Sequence, residues 1–166
     1  RDRLRSRGLG DVYKRQVSHL SDGGFLNVAE FAKKTGMPFV ASHSNARAIT
    51  AHPRNLPDMY IRKLSEAGGV MGLNFASHFL SDTQPPDGES RICDMVTHIL
   101  HIRKIAGSEV LAIGSDFDGV ESRMEIDSPA KMVMLYETLH QTGLSEDELE
   151  KIFYKNAQRV LTAVLR

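Results

Sequence analysis

The sequence predicts an α/β fold built on a parallel sheet, and three observations carry that expectation. Four short apolar runs, at 17–20, 38–43, 70–75 and 110–114, are separated by stretches with helical spacing of apolar residues. Parallel neighbours need long crossovers of this kind. The runs are continuously apolar rather than alternating, which suits strands buried on both faces. Polar residues fall at the carboxyl ends of the runs, the edge where barrels and doubly wound sheets build their sites.

Each element has its own local reason. Val17-Ser18-His19-Leu20 is the first strand candidate. Residues 24–35 then set Phe25, Val28, Ala29, Phe31 and Ala32 at helical spacing, and Gly36 stops that helix. Pro38-Phe39-Val40-Ala41-Ser42-His43 is the second strand candidate. A loop with Pro53 and Pro57 leads to a helix near 58–67, broken by Gly68-Gly69. Val70 to Phe75 is the third strand, and Pro85-Pro86-Asp87-Gly88 marks a loop over 76–88. Residues 90–106 read as a helix with Ile92, Val96, Ile99, Leu100, Ile102 and Ile105 on one side. Val110 to Gly114 is the fourth strand. Beyond it the chain reads as helical. Ser145 with Glu148 three residues later is a capping box, Leu149, Ile152 and Phe153 form an apolar face, and helix resumes from Asn156 to Leu165 after a break.

Composition narrows the function classes. The chain has 166 residues, 41% hydrophobic and 25% charged, which is ordinary for a globular domain. Lys plus Arg equals Asp plus Glu at 21 each, so nothing points to nucleic acid or to an anionic membrane surface. No apolar run approaches the ~20 residues that span a bilayer. The compartment is left open by the sequence, because a targeting signal would lie upstream, and the cytoplasm is taken as the best guess. One cysteine, Cys93, rules out an intrachain disulfide framework and reads as a packed small hydrophobe.

Residues 1–16, RDRLRSRGLGDVYKRQ, are basic and lack any period. The DVYKRQ stretch resembles a translated sequencing adapter, so 1–16 reads as non-native or as a disordered arm. The expectation is then that 17–166 is the C-terminal half of a domain whose natural chain continues upstream of Val17.

The site candidates follow from the strand ends. His19 closes the first run and His43 the second, Asn74 lies near the end of the third, and Asp116 and Asp118 follow the fourth. Imidazole and carboxylate from separate elements suit a zinc ion. Plainer readings stand beside these: a strand-end histidine can simply be hydrogen-bonded, and Asp118 can cap the turn at Gly119. Arg54, in His52-Pro53-Arg54-Asn55, is either a surface arginine or a bidentate clamp for a substrate carboxylate. His98 and His101 sit three apart on a helix away from that edge and read as structural or solvent-facing; His52, His78 and His140 show no pattern.

VSHLSD, PFVASHSNARAITAHPRNLPD, GGVMGLNF, HILHIRKIAGSEVLAIGSDFDGV and KNAQRVL occur in that order. Together they resemble the C-terminal half of the membrane (renal) dipeptidase family of zinc metallopeptidases, in its bacterial form, over residues 17–165. The resemblance implies a partial (β/α)8 barrel of about four C-terminal β/α units plus C-terminal helices. It implies a binuclear Zn2+ centre with His19 and His43 as ligands of one ion, Arg54 and Asn74 on the substrate side, Asp116 as the acid/base group and Asp118 in support. It also implies dipeptide substrates and a homodimer. The family's other ligands, a His-x-Asp pair and a bridging glutamate, match nothing in the sequence before Val17. The chain alone is therefore expected to be a non-catalytic fragment that needs its other half. The rival reading is an aspartate-dependent phosphohydrolase, whose nucleophile loop Asp116-Phe117-Asp118-Gly119 also resembles.

Overall fold

The structure, a computed structural model, describes residues 16–165. The expected foreign segment therefore lies outside the described residues except for Gln16. The elements in order are α1 (Asp22–Thr35), β1 (Val40–Ala41), α2 (Asp58–Glu66), β2 (Val70–Leu73), α3 (Ser77–Leu80), β3 (Glu89–Ser90), α4 (Ile92–Ala106), β4 (Leu111–Ile113), β5 (Arg123–Met124), α5 (Met132–Gln141), α6 (Glu146–Glu150) and α7 (Asn156–Val164). The fold is mixed α/β. β1, β2 and β4 form a parallel sheet in the order β1-β2-β4, with Val40 opposite Val70 and Gly72 opposite Ala112.

Local signals start and stop the helices. The Ser21 side chain accepts a hydrogen bond from the Gly24 amide at 3.2 Å and opens α1. Gly36, at φ 65°, closes it in the left-handed conformation. Ser145 and Glu148 form a reciprocal capping box at α6. The core lies between the sheet and its helices, where Phe25, Phe39, Phe75, Met71, Ile99 and Leu111 are fully buried. Phe25 stacks on Tyr60 and meets Phe39 edge-on, at ring separations of 4.7 and 5.5 Å.

Several expectations need correction. Val17–Leu20 is not a strand: pairing with β1 is confined to an isolated parallel bridge, Gln16 with Val40. The Leu20 amide bonds back to the Val17 carbonyl at 3.0 Å, which turns the chain into the Ser21 cap instead of along the sheet. Among the described residues the main sheet therefore has three strands, not four. The 76–88 loop contains the short helix α3, and Glu89–Ser90 pairs in parallel with Arg123–Met124 as a second sheet. The C-terminal helix is continuous where a break was expected, because a π-helical stretch at Lys151–Lys155 carries α6 into α7. Cys93 is exposed rather than packed. Its neighbours Ile92, Met95, Val96 and Ile99 take the inner face of α4.

The KNAQR segment works at the amino ends of the strands. The buried Asn156 side chain donates through Nδ2 to the carbonyls of Ser108 and Leu111, both at 2.8 Å. Arg159 donates to the carbonyls of Gly68 and Glu109 at 2.6 and 2.8 Å. These side chains tie α7 to the starts of β2 and β4, leaving the opposite edge free. No helix among the described residues is long and apolar enough to cross a membrane.

Candidate metal and substrate centre

The carboxyl edge is closed from beneath by glycines. A Cβ at Gly72 would stand 2.1 Å from the Ser42 carbonyl oxygen, and one at Gly114 would stand 1.9 Å from the same atom. The ends of β1, β2 and β4 can meet there only because neither residue has a side chain. The loops they emit then begin close together.

Two of the expected site residues are in direct contact. His19 Nε2 and His43 Nε2 face each other at 2.9 Å. Arg54 reaches the same place, its Nε donating to the Ser18 carbonyl at 2.9 Å and its Nη2 lying 3.3 Å from His19 Nε2. A guanidinium can only donate, so His19 Nε2 is the acceptor and His43 Nε2 carries the proton between the rings. His43 Nδ1 then accepts from the Ser42 hydroxyl, 2.7 Å away, whose oxygen accepts from the Gln16 side-chain amide at 2.9 Å. A hydroxyl both donates and accepts, so Ser42 can equally hold the other tautomer, which turns a lone pair on His43 Nε2 outward as a metal ligand requires. Burial, the strongest influence, holds the His43 ring below its ordinary pKa; His19 and Arg54 push it the same way, and the Asp116 carboxylate opposes them.

Asp116 and Asn74 form a second pair. Asn74 is fully buried, and its Nδ2 donates to Asp116 Oδ2 at 3.0 Å. Asn74 is itself held by Asn45 Oδ1 on its amide and by the Ala76 amide on its Oδ1, at 2.9 and 2.7 Å. Asp116 has a φ of 64°, a left-handed conformation that aspartate tolerates better than most side chains. The Gly119 amide bonds the Asp116 carbonyl at 2.9 Å, and a Cβ at Gly119 would sit 2.5 Å from Asp116 Oδ1. Asp118 is exposed on that turn and is not drawn into the His19, His43, Arg54 group. Among the described residues, no group of three or more His, Cys, Asp or Glu side chains is arranged to hold a metal ion. The two imidazole nitrogens fit one side of a zinc site, and further ligands would have to come from elsewhere.

Sequence reasoning missed the scaffold around these groups. Arg47 makes a bidentate pair with Asp22, both bonds at 2.9 Å, and donates to the carbonyls of Pro53 and Asn55, both at 2.7 Å, so it folds the loop that carries Arg54. Ser18 Oγ accepts from the His43 amide at 3.0 Å. His52 and His78 lie beside Arg54, with the guanidinium over the Phe79 ring at 5.6 Å. Their neighbours in the sequence offered no periodicity that would have found them. Asn45 and Asn55 sit inside the SHSNAR and HPRN blocks, and that was the one available signal for them.

His98 is structural and fully buried, and His101 pairs with Asp58 at 2.8 Å. Burial holds His98 neutral, its pKa pushed down to about 4 from 6.5. As pH falls below 6.5 the unfolded chain takes up this proton first, while the fold resists until about 4. Stability supplied by neutral His98 is therefore complete above that window and lost across it, by about 3 kcal/mol in full. Urea unfolding at pH 7.5 and at pH 4.5 checks this. The lower pH is expected to reduce the midpoint, and His98→Asn is expected to flatten the difference. An unchanged pH dependence in that variant contradicts the assignment.

Comparison with known proteins gives the family. The family described as membrane dipeptidase (peptidase family M19) matches residues 16–166. An uncharacterized protein in the pqqA 5' region of Klebsiella pneumoniae is 36% identical over 148 residues, 89% of this chain and 54% of that protein. The dipeptidase tcpJ of Claviceps purpurea is 30% identical over 149 residues, 89% of this chain and 34% of that protein. The chain thus spans about half or less of the length of these relatives. A crystal structure of a metallopeptidase from Rhodobacter sphaeroides, liganded with a phosphinate mimic of L-Ala-D-Ala, superposes with a TM-score of 0.80 at 30% identity, over 90% of this chain and 42% of that one. With a family match over all the described residues, and with relatives that share its fold, the chain belongs to the membrane dipeptidase family, peptidase family M19.

Proposed function

We propose that the chain supplies one side of the metal centre and the substrate-carboxylate clamp of a zinc-dependent dipeptidase, as part of a (β/α)8 barrel with a binuclear site. The observation that carries this reading is the meeting of His19 Nε2, His43 Nε2 and the Arg54 guanidinium, at 2.9 and 3.3 Å. His19 and His43 would hold one zinc ion. When bound, zinc supplies activated water at neutral pH and polarises the scissile carbonyl. Asp116 would take a proton from that water and return one to the leaving amine. Asn74, on Asp116 Oδ2, would orient the carboxylate, with Asp118 in a supporting place on the same turn. Arg54 would form a fork with the free carboxylate of a dipeptide and so reject longer peptides, which place no charge there.

Family membership favours this over the phosphohydrolase alternative. The remaining ligands would come from the rest of the barrel, and the working protein would be a homodimer. The cytoplasm remains the proposed compartment. The chain by itself is expected to hydrolyse dipeptides far more slowly than a version extended to its relatives' length. Zinc titration of that extended version against its His43→Ala variant tests the ligand pair: the variant is expected to take up less zinc, and equal uptake sinks the site. Hydrolysis by the short chain at the extended version's rate would sink the claim that it is incomplete.

A further inference from the structure

We propose that His98 is a positioning residue for Arg54, a single buried imidazole that registers the loop carrying the guanidinium against the ring on which it rests. His98 lies on α4, fully buried, outside the His19–His43 contact. Its Nδ1 faces the Ala46 backbone amide at 3.1 Å, and its Nε2 faces the Leu80 carbonyl at 3.0 Å. An amide can only donate and a carbonyl can only accept, so these two partners select one neutral tautomer, with the proton on Nε2. Thr50 Oγ1, 3.4 Å from Nε2, stands at the edge of the same pocket.

Both partners lead to Arg54. On one side, Ala46 bridges to Leu56. The flanking bonds, Leu56 amide to Asn45 carbonyl at 2.8 Å and Arg47 amide to Leu56 carbonyl at 2.9 Å, set the loop two residues from Arg54. On the other side, Leu80 follows Phe79, whose ring lies under the guanidinium. The Phe79 carbonyl accepts from the side chains of Asn45 and Asn55 at 3.2 and 2.9 Å, which closes the circuit between the loop after β1 and helix α3. Without the imidazole, two buried backbone groups lose their partners and the two segments lose their common reference.

The inference rests on the dipeptidase reading only for what Arg54 would bind; the positioning itself is a property of this chain. The test is therefore spectroscopic and uses neither metal nor turnover, so a failed zinc titration and a failed positioning claim remain distinguishable. In 15N NMR of the chain at pH 7, the Arg54 Nε–H, bonded to the Ser18 carbonyl, is expected to exchange slowly with water. His98→Gln keeps a donor for Leu80 and loses the acceptor for Ala46; protection of the Arg54 Nε–H is expected to fall about tenfold or more. His98→Asn places an oxygen near the position of Nδ1 but gives up the donor to Leu80, so protection of the Arg54 Nε–H is expected to fall there as well, each change cutting one arm of the bridge. Amides of α7, at the other end of the strands, are expected to keep theirs. Arg54 protection unchanged in either variant, or lost only together with that of α7, overturns the proposal and leaves His98 a packing residue. If neither variant folds, native-state exchange of the unaltered chain decides. The Ala46 amide and the Arg54 Nε–H are expected to follow one common dependence on denaturant, and two separate dependences overturn the proposal.

Discussion

Gly114→Ala is expected to destabilise the chain by about 3 kcal/mol or more, a large share of the about 5–15 kcal/mol that holds an ordinary domain together. The added Cβ would stand 1.9 Å from the Ser42 carbonyl oxygen and 2.8 Å from the Gly72 Cα. Both are backbone atoms in the sheet, so no rotamer change relieves the clash. Gly72→Ala meets the same oxygen at 2.1 Å and is expected to behave alike. The strands that must separate are those that hold His43, Asn74 and Asp116, so any folded remnant would lose the site first. Gly23→Ala is the control: it lies in α1, a Cβ there meets nothing within 4 Å, and its backbone stays at negative φ. That change is expected to be neutral or slightly stabilising. Denaturant midpoints of the three variants check the contrast. A Gly114→Ala midpoint equal to that of the unaltered chain would show that the sheet ends are not held at this separation.

Asp116→Asn, made in a version extended to the length of its relatives, is expected to lower kcat about a hundredfold to ten-thousandfold. Asparagine has the shape of aspartate, tolerates the φ of 64° and leaves the Gly119-to-Asp116 backbone bond in place. What it removes is the capacity to accept a proton. Zinc content and thermal stability are therefore expected to stay near those of the unaltered protein while turnover falls. Asn74→Ala is a useful companion, since it leaves the acid group in place and removes the bond at 3.0 Å that orients it. Normal turnover in Asp116→Asn would move the acid/base role to another group.

Much of the architecture was legible because it depends on local chemistry. The Ser145–Glu148 cap, the Gly36 stop and the apolar runs around Val70 and Leu111 act within one helical turn or one strand. Failures occurred where a partner lay far away in sequence. Glu89–Ser90 becomes a strand only because Arg123–Met124 comes alongside it. Val17–Leu20 has a strand's composition, yet the chain turns off after one bridge because Ser18 and Ser21 offer hydrogen bonds elsewhere. Helix α3, four residues long, is too short to show a period. The outward place of Cys93 follows from which face of α4 meets the core, and composition does not carry that.

The site divides in the same way. His19, His43, Arg54, Asn74 and Asp116 could be named from strand ends and from a family resemblance, because residue type and order belong to the chain itself. That two imidazole nitrogens stand 2.9 Å apart, that Asn74 reaches Asp116, and that His98 is locked in one tautomer by two distant loops were decided by tertiary structure alone. These contacts join residues 18 to 52 positions apart. How closely the strand ends behind His43, Asn74 and Asp116 approach is set by the bare backbones of Gly72 and Gly114, a quantity that emerges only when the sheet has packed.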